Sequence, residues 1–253
     1  MATFVLVHGG WHGAWCWERL TPLLTHAGHT VIAPDLPGHG DDLMPLSARP
    51  YEQYVPSISA VVAAQPEPVI LLGHSSGGMI ISAVAAAHPK RVQVLVYLAA
   101  FLLPPGVSPP MILRDDHESL LGSALVIDRE GQTTTVPPEA ARAVFYADCT
   151  EADAAWAIRR LQPEPIVPTA PTPVTTPTDD PAILTMPDVP RVYIETLHDK
   201  ALGPATQRRM YTALSCAHLY TLPTGHSPFI SAPLALAAQL QEIAGQQAIG
   251  SKQ

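Results

Sequence analysis

The sequence predicts an α/β fold, a mostly parallel sheet with helices on both faces. Three observations predict it. Short apolar, β-branched runs recur along the 253 residues and alternate with helix-like segments. The runs lack polar alternation, so each strand is expected to be buried on both faces, as in a helix-covered parallel sheet. The composition, 47% hydrophobic and 14% charged, supplies a large core and excludes a disordered chain.

The elements follow in order. Thr3–Val7 is a run of strand formers, and Trp15–Ala27 carries helical spacing up to Gly28, a natural stop. Thr30–Ala33 is the second strand, closed by Pro34. Tyr51–Ala64 reads as a helix with Val55, Ile58 and Val62 at core-facing spacing. Val69–Leu72 is a fully apolar strand, Ser76–His88 a small-residue helix stopped by Pro89, and Val92–Leu98 a fourth strand. After Ala100 the texture changes. Residues 104–187 are rich in proline and poor in strand signals, with helical patches at Glu139–Tyr146 and Glu151–Leu161. The proline density of Pro163–Pro181 excludes helix and central strand, and the stretch reads as a semi-extended part of a cap. The α/β pattern resumes with Arg191–Glu195 (strand), Pro204–Ala213 (helix), Leu219–Leu222 (strand) and Pro233–Ala248 (helix). A core of 1–103 and 188–253, with 104–187 inserted as a cap, is the expected organisation.

Several function classes are excluded at this level. The formal net charge is -8 and the 14 Lys and Arg are scattered, so no phosphate-tracking surface, and no nucleic acid partner, is expected. No apolar run approaches the ~18 residues of a membrane span. The amino terminus has no basic segment followed by a long apolar stretch, and a cytoplasmic protein is expected. Cys16, Cys149 and Cys216 are far apart and read as reduced thiols. H-E-x-x-H and phosphate-loop patterns are absent, so neither metal nor cofactor is expected. No feature selects an oligomeric state; a homodimer is compatible.

The strongest chemical signal is Gly73-His74-Ser75-Ser76-Gly77-Gly78, between an apolar strand and a helical run. This is G-x-S-x-G in the strand–turn–helix context that lifts a serine hydroxyl above the sheet. Gly73 and Gly77 leave room for strand and helix to close on each other, and the Ser76 N–H falls at a helix N-terminus that favours an anion. The second signal is His8-Gly9-Gly10-Trp11-His12-Gly13, directly after the first strand. Acyl transfer at a serine needs two N–H donors for the developing oxyanion, and Gly10 and Ser76 are the expected pair. His8 and His12 are expected to be structural. His226 follows the last strand and Asp199 follows strand Arg191–Glu195, both at strand C-terminal ends where catalytic groups gather. The order Ser75, Asp199, His226 suits nucleophile, orienting acid and general base. Asp188 and the pair Asp179-Asp180 are not at such ends.

The stretch FVLVHGGWHGAWCWERLTPLLTHAGHTVIAPDLPGHG, the elbow LLGHSSGGM and the closing GHSPFISAP resemble the methyl esterase and hydroxynitrile lyase branch of the α/β-hydrolase superfamily. The tail RVYIETLHDKALGPATQRRM is similar to bacterial carboxylesterases of that branch, some of which hydrolyse pyrethroid esters. The resemblance implies a six-stranded parallel sheet, a small cap after the fourth strand, no cofactor and a small-molecule ester substrate. It implies the triad Ser75, Asp199, His226 and an oxyanion hole at Gly10 and Ser76. Lyases of the branch carry threonine where Gly9 stands and lysine where Ser227 stands. Esterases often carry methionine at the latter position, so Ser227 departs from both patterns. Gly9, Trp11, Phe101, Trp156 and Ser227 are the expected substrate contacts. The apolar residues of the cap and its borders suggest neutral, hydrophobic esters. A lyase, a natural-product tailoring enzyme and a small-molecule receptor of the same fold are the alternatives.

Overall fold

The computed structural model describes residues 1–46, 50–104, 106–166 and 188–250. Six parallel strands form one sheet in the order β2-β1-β3-β4-β8-β9. They are β1 (Thr3–Val7), β2 (Thr30–Ile32), β3 (Val69–His74), β4 (Val92–Leu98), β8 (Arg191–Thr196) and β9 (His218–Leu222). Side chains alternate across the sheet, so one strand feeds two cores. Phe4 and Leu6 of β1 face a core with Leu20 and Leu24 of α1 (Leu20–His26) and Leu240 and Ile243 of α10 (Pro233–Gly250). Val5 and Val7 face the other, with Ile58 and Val62 of α2 (Tyr54–Ala63), Ile81 and Val84 of α3 (Gly77–Ala87) and Met210 of α8 (Pro204–Ala213). Each such side chain removed from water contributes about 1.5–3 kcal/mol. Two-sided burial holds for β1, β3, β4 and β8, as their unalternated strands predicted, but not for the edge strands β2 and β9, which are largely half-buried or exposed because only one neighbour covers them.

Two expected helices begin later than their spacing suggested, for one reason. Pro22 and Pro56 lack the N–H that a helix starting a turn earlier needs at those positions. The chain therefore runs through 3-10 turns at Ala14–Trp17 and Pro50–Gln53 before α1 and α2 begin. Gly28 does stop α1: its φ is +86°, and the His29 N–H turns back to the Leu24 carbonyl at 3.1 Å.

Between β4 and β8 the described residues form an inserted segment, at the place where a cap is expected and called the cap below. It holds α4 (Pro109–Leu113), α5 (Leu121–Ala124), α6 (Pro138–Phe145) and α7 (Glu151–Ile158). It also holds a small antiparallel sheet of β5 (Val126–Asp128), β6 (Thr133–Thr135) and β7 (Glu164–Pro165). The sequence showed α6 and α7 but not this sheet, because strands of two and three residues carry no measurable alternation. Pro165 sits on the edge strand, where a missing N–H costs no ladder bond. Most of the proline-rich stretch, from residue 167 on, lies outside the described residues. Cys16, Cys149 and Cys216 are free thiols. No described helix is long and apolar enough to cross a membrane.

The chain runs from β1 to β2 on one side and returns to β3 on the other. The crevice at the C-terminal ends of β1 and β3 is thus a topological switch point.

Candidate active site

Two loops meet at that crevice. After β3 the chain turns sharply at Ser75, whose φ of +52° is a conformation that bulky side chains avoid. The turn is held by its surroundings: the Ser75 carbonyl accepts the Gly78 and Phe101 N–H groups at 3.1 and 3.0 Å. Both expected glycines are sterically required. A Cβ on Gly73 would lie 2.6 Å from the Gly77 carbonyl oxygen, and one on Gly77 would lie 2.8 Å from the carbonyl oxygens of Val7 and His8. The serine side chain is left half-buried at the mouth of the crevice.

The acid and the histidine are brought together. Asp199 Oδ2 lies 2.8 Å from His226 Nδ1, with both residues buried. Four further donors converge on the carboxylate. Thr196 Oγ1 and Gln207 Nε2 reach Oδ2 at 2.8 and 3.1 Å, and the Ala201 and Leu202 N–H groups reach Oδ1 at 2.8 and 2.9 Å. Gln207, on α8, also accepts the Thr196 N–H and donates to the Leu202 carbonyl, so it braces the whole acid loop. The His226 loop is tied to the elbow. The His74 ring packs 4.5 Å from the His226 ring, and His74 Nε2 donates to the His226 carbonyl at 2.9 Å. No hydrogen bond joins Ser75 to His226 in this structure, and such bonds commonly tighten only around a substrate.

The loop after β1 is organised peptide by peptide. His8 Nδ1 donates to the Gly9 carbonyl at 2.9 Å while His8 Nε2 accepts the Leu36 N–H at 3.0 Å. His12 Nδ1 donates to the Gly10 carbonyl at 2.8 Å and its Nε2 accepts the Tyr146 hydroxyl at 2.8 Å. Both rings use one nitrogen as donor and the other as acceptor, the pattern of neutral imidazoles. Burial accounts for this, lowering His8 from the ordinary 6.5 to about 3 and His12 to about 4. The two histidines are thus structural, as expected. What they leave over is the Gly10 N–H, which, like the Ser76 N–H at the start of α3, has no acceptor among the described residues.

The buried neutral histidines set a pH dependence of stability. Below their ordinary value of 6.5 the unfolded chain takes up protons that the folded chain refuses until near pH 4 and pH 3. The unfolded state then binds more protons, so stability falls as pH falls. The urea midpoint should drop steadily between pH 6.5 and pH 4. A flat midpoint over that window would mean that the two rings are not held neutral.

Residues 4–239 match the Alpha/beta hydrolase family. The chain belongs to that family. It is 30% identical over 244 residues to Methylesterase 17 of Arabidopsis thaliana, covering 92% of this chain and 88% of the relative. It is 32% identical over 250 residues to a pyrethroid hydrolase of Sphingobium wenxiniae, covering 95% and 86%. The solved pyrethroid hydrolase of Sphingobium faniae superposes with a TM-score of 0.81 at 32% identity, over 96% of this chain and 97% of that one. The chain is an α/β hydrolase of the esterase type.

The hydrolase places its other expected contact residues unevenly. Gly9 lies against the elbow: a Cβ there would stand 2.7 Å from the Ser75 Cβ. Phe101 is buried and touches the elbow through its backbone N–H. Ser227 is fully buried beside His226, and its hydroxyl has no hydrogen-bond partner. Trp156 packs edge-on against Trp15 and under the Arg160 guanidinium, 4.4 Å from the ring centre. Trp11 turns into the cap, where its indole N–H donates to the Thr134 carbonyl at 3.0 Å, and it borders a cap cavity of about 400 Å³. Among the described residues, no group of three His, Cys, Asp or Glu side chains is arranged to hold a metal ion.

Sequence reasoning missed the cap's share of the site. Phe145 faces both His226 and Trp11, with ring centres 5.8 and 5.7 Å away. Asp148 Oδ2 accepts the Gly225 N–H at 2.8 Å, one residue before His226. Asp116 Oδ2 accepts the Gly203 N–H at 2.8 Å beside the acid loop. The aromatic end of the Glu139–Tyr146 helix was the one available signal, and nothing in its spacing says which loop it meets.

Proposed function

We propose that this chain is a serine carboxylesterase acting on small, neutral, hydrophobic esters through an acyl-enzyme. Ser75 is the nucleophile and His226 the base that takes its proton and returns it to the leaving alcohol. Asp199 holds the imidazole in the tautomer with its proton on Nδ1 and stabilises the cation that forms. The observation that carries this reading is the pairing of the left-handed Ser75 turn with two acceptor-free N–H groups, Gly10 and Ser76, at the same crevice. An oxyanion formed on Ser75 would meet donors that need no rearrangement. A second cycle, with water in place of the alcohol, releases the acid.

The preference for neutral substrates follows from what surrounds His226. Phe145 presents an apolar ring to His226 and Phe229 one to the neighbouring His74, and the carboxylates of Asp116, Asp148 and Glu164 are already taken by backbone N–H groups. A substrate carboxylate would enter a region whose lining already carries several carboxylates, beside the neutral Ser227.

The same lining disfavours cyanohydrin cleavage, which delivers cyanide into the pocket. Ser227 is neutral, and the nearest sequence alternatives, Lys200 and Arg159, are exposed. A threonine at position 9 would crowd Ser75 as well. The purified protein should therefore hydrolyse phenyl or naphthyl acetate with many turnovers. It should favour the neutral ester over a dicarboxylate monoester by about tenfold or more in kcat/KM, a ~1.4 kcal/mol preference. Mandelonitrile should release no cyanide above the uncatalysed rate. Cyanide release without ester turnover would reverse the assignment.

A further inference from the structure

The oxyanion loop is held from outside the core by a cluster that the hydrolytic chemistry does not use. All three polar groups of Trp11 are bound by the cap. Its N–H donates to Glu164 Oε2 at 3.0 Å, its carbonyl accepts the Gln162 N–H at 2.9 Å, and its indole N–H reaches the Thr134 carbonyl. Trp11 needs such restraint, because its φ of +62° is strained for a bulky side chain. Glu164 in turn lies 2.8 Å from the fully buried Nε2 of His39, and the Tyr54 hydroxyl reaches its other oxygen at 3.4 Å. The carboxylate also lies close to Gly10, where an added Cβ would stand 3.4 Å from Oε2.

We propose that Glu164, paired with His39, is a positioning residue for the oxyanion hole. The inference rests on the assignment of the Gly10 N–H to that hole. Gly10 joins two peptide planes. His8 holds the first through the Gly9 carbonyl; the second is held at its carbonyl by His12 and at its N–H, that of Trp11, by Glu164. Glycine has no side chain to limit rotation between the planes, so their orientation is set by these three partners. The Gly10 N–H lies in the first plane; removing Glu164 frees the second, and because the chain after Trp11 stays tied to Gln162 the compensating rotation falls on the Gly10 φ, tips the first plane and spoils the aim of the Gly10 N–H.

His39 has a separate task. A carboxylate beside the hole would repel the developing oxyanion, and the His39 Nε2 2.8 Å away, sharing a proton with it, disperses that charge. Burial lowers the His39 basicity, but the hydrogen bond and charge of Glu164, helped by Asp35, outweigh it and raise the ring above its ordinary value. A cap residue thus completes the hole only when the cap is seated on the core.

The test compares Glu164→Ala and Glu164→Gln with the wild-type protein. Two readouts are used: kcat and KM for a p-nitrophenyl ester, and the rate at which a fluorophosphonate labels Ser75, followed by intact mass. The phosphoryl oxygen of the probe occupies the oxyanion position, so labelling reports the hole whether or not the ester is a good substrate. Glu164→Ala should slow labelling and kcat together by about 10–100-fold, below the ~10²–10³ for deleting a donor outright. KM should change by less than about threefold, since ground-state binding is not at issue. Glu164→Gln keeps an oxygen acceptor of the same shape and should recover most of the rate. Wild-type labelling in Glu164→Ala would overturn the proposal. So would equal losses in both variants with KM rising in step, which is the signature of a loosened cap. Failure of the esterase reading looks different: Ser75 is labelled in the wild type but no ester turns over.

Discussion

Replacing Ser75 with alanine should lower kcat for ester hydrolysis by about 10⁶, ~8 kcal/mol of transition-state stabilisation, with the fold intact. The chemical loss is large because the triad acts as a unit: without the hydroxyl, His226 has no proton to take. The structural loss is small. The Ser75 side chain is half-buried, and its hydroxyl has no hydrogen-bond partner among the described residues. The turn itself is held by the Ser75 carbonyl and by Gly73 and Gly77, and none of these changes. Alanine tolerates a φ of +52° no worse than serine by more than a few tenths of a kcal/mol, so the thermal midpoint should stay close to that of the wild type. The measurement is steady-state kinetics on the purified variant beside its melting curve. Retention of a tenth of the activity would reject Ser75 as nucleophile.

Replacing Asp199 with asparagine should cost about 10⁴ in kcat. The direction follows from the five donors around the carboxylate. Oδ1 is fixed by two backbone N–H groups, from Ala201 and Leu202, which cannot turn to accept. The amide oxygen must therefore take the Oδ1 place and the amide nitrogen must face His226. Facing a donor, the imidazole must use Nδ1 as acceptor and carry its proton on Nε2, where it cannot receive one from Ser75. The amide nitrogen also meets the Thr196 hydroxyl and the Gln207 amide, so some stability is lost, about 1–3 kcal/mol for each buried group left unmatched. Asp188→Asn is the control. That side chain is exposed in the turn ahead of β8, and its replacement should change the rate by less than about tenfold. A crippled Asp188→Asn with a healthy Asp199→Asn would move the acid to another loop.

The elements to which we assign this chemistry were readable because their requirements are local. The strand Val69–Leu72, the glycines on either side of Ser75 and the helix that follows are a contiguous steric unit, and the structure extends the strand only to His74. Asp199 and His226 were legible for a related reason, since each follows the C-terminal end of a strand of the parallel sheet. The helix starts expected at Trp15 and Tyr51 fall instead at Leu20 and Tyr54, although the cause was also local, the missing N–H of Pro22 and Pro56 that apolar spacing does not register.

The cap was not readable in this way. Glu164 reaches Trp11 across 153 residues, Tyr146 reaches His12 across 134, and Asp148 reaches Gly225 across 77. The sequence by itself determined the sheet, the elbow and the order of Ser75, Asp199 and His226, because periodicity and chain geometry act on neighbours. The tertiary structure alone decided which cap side chains satisfy the N–H and C=O groups of the site loops. A polar backbone group left by a loop accepts any partner of the right kind within about 3 Å, and only the folded chain says which one arrives there.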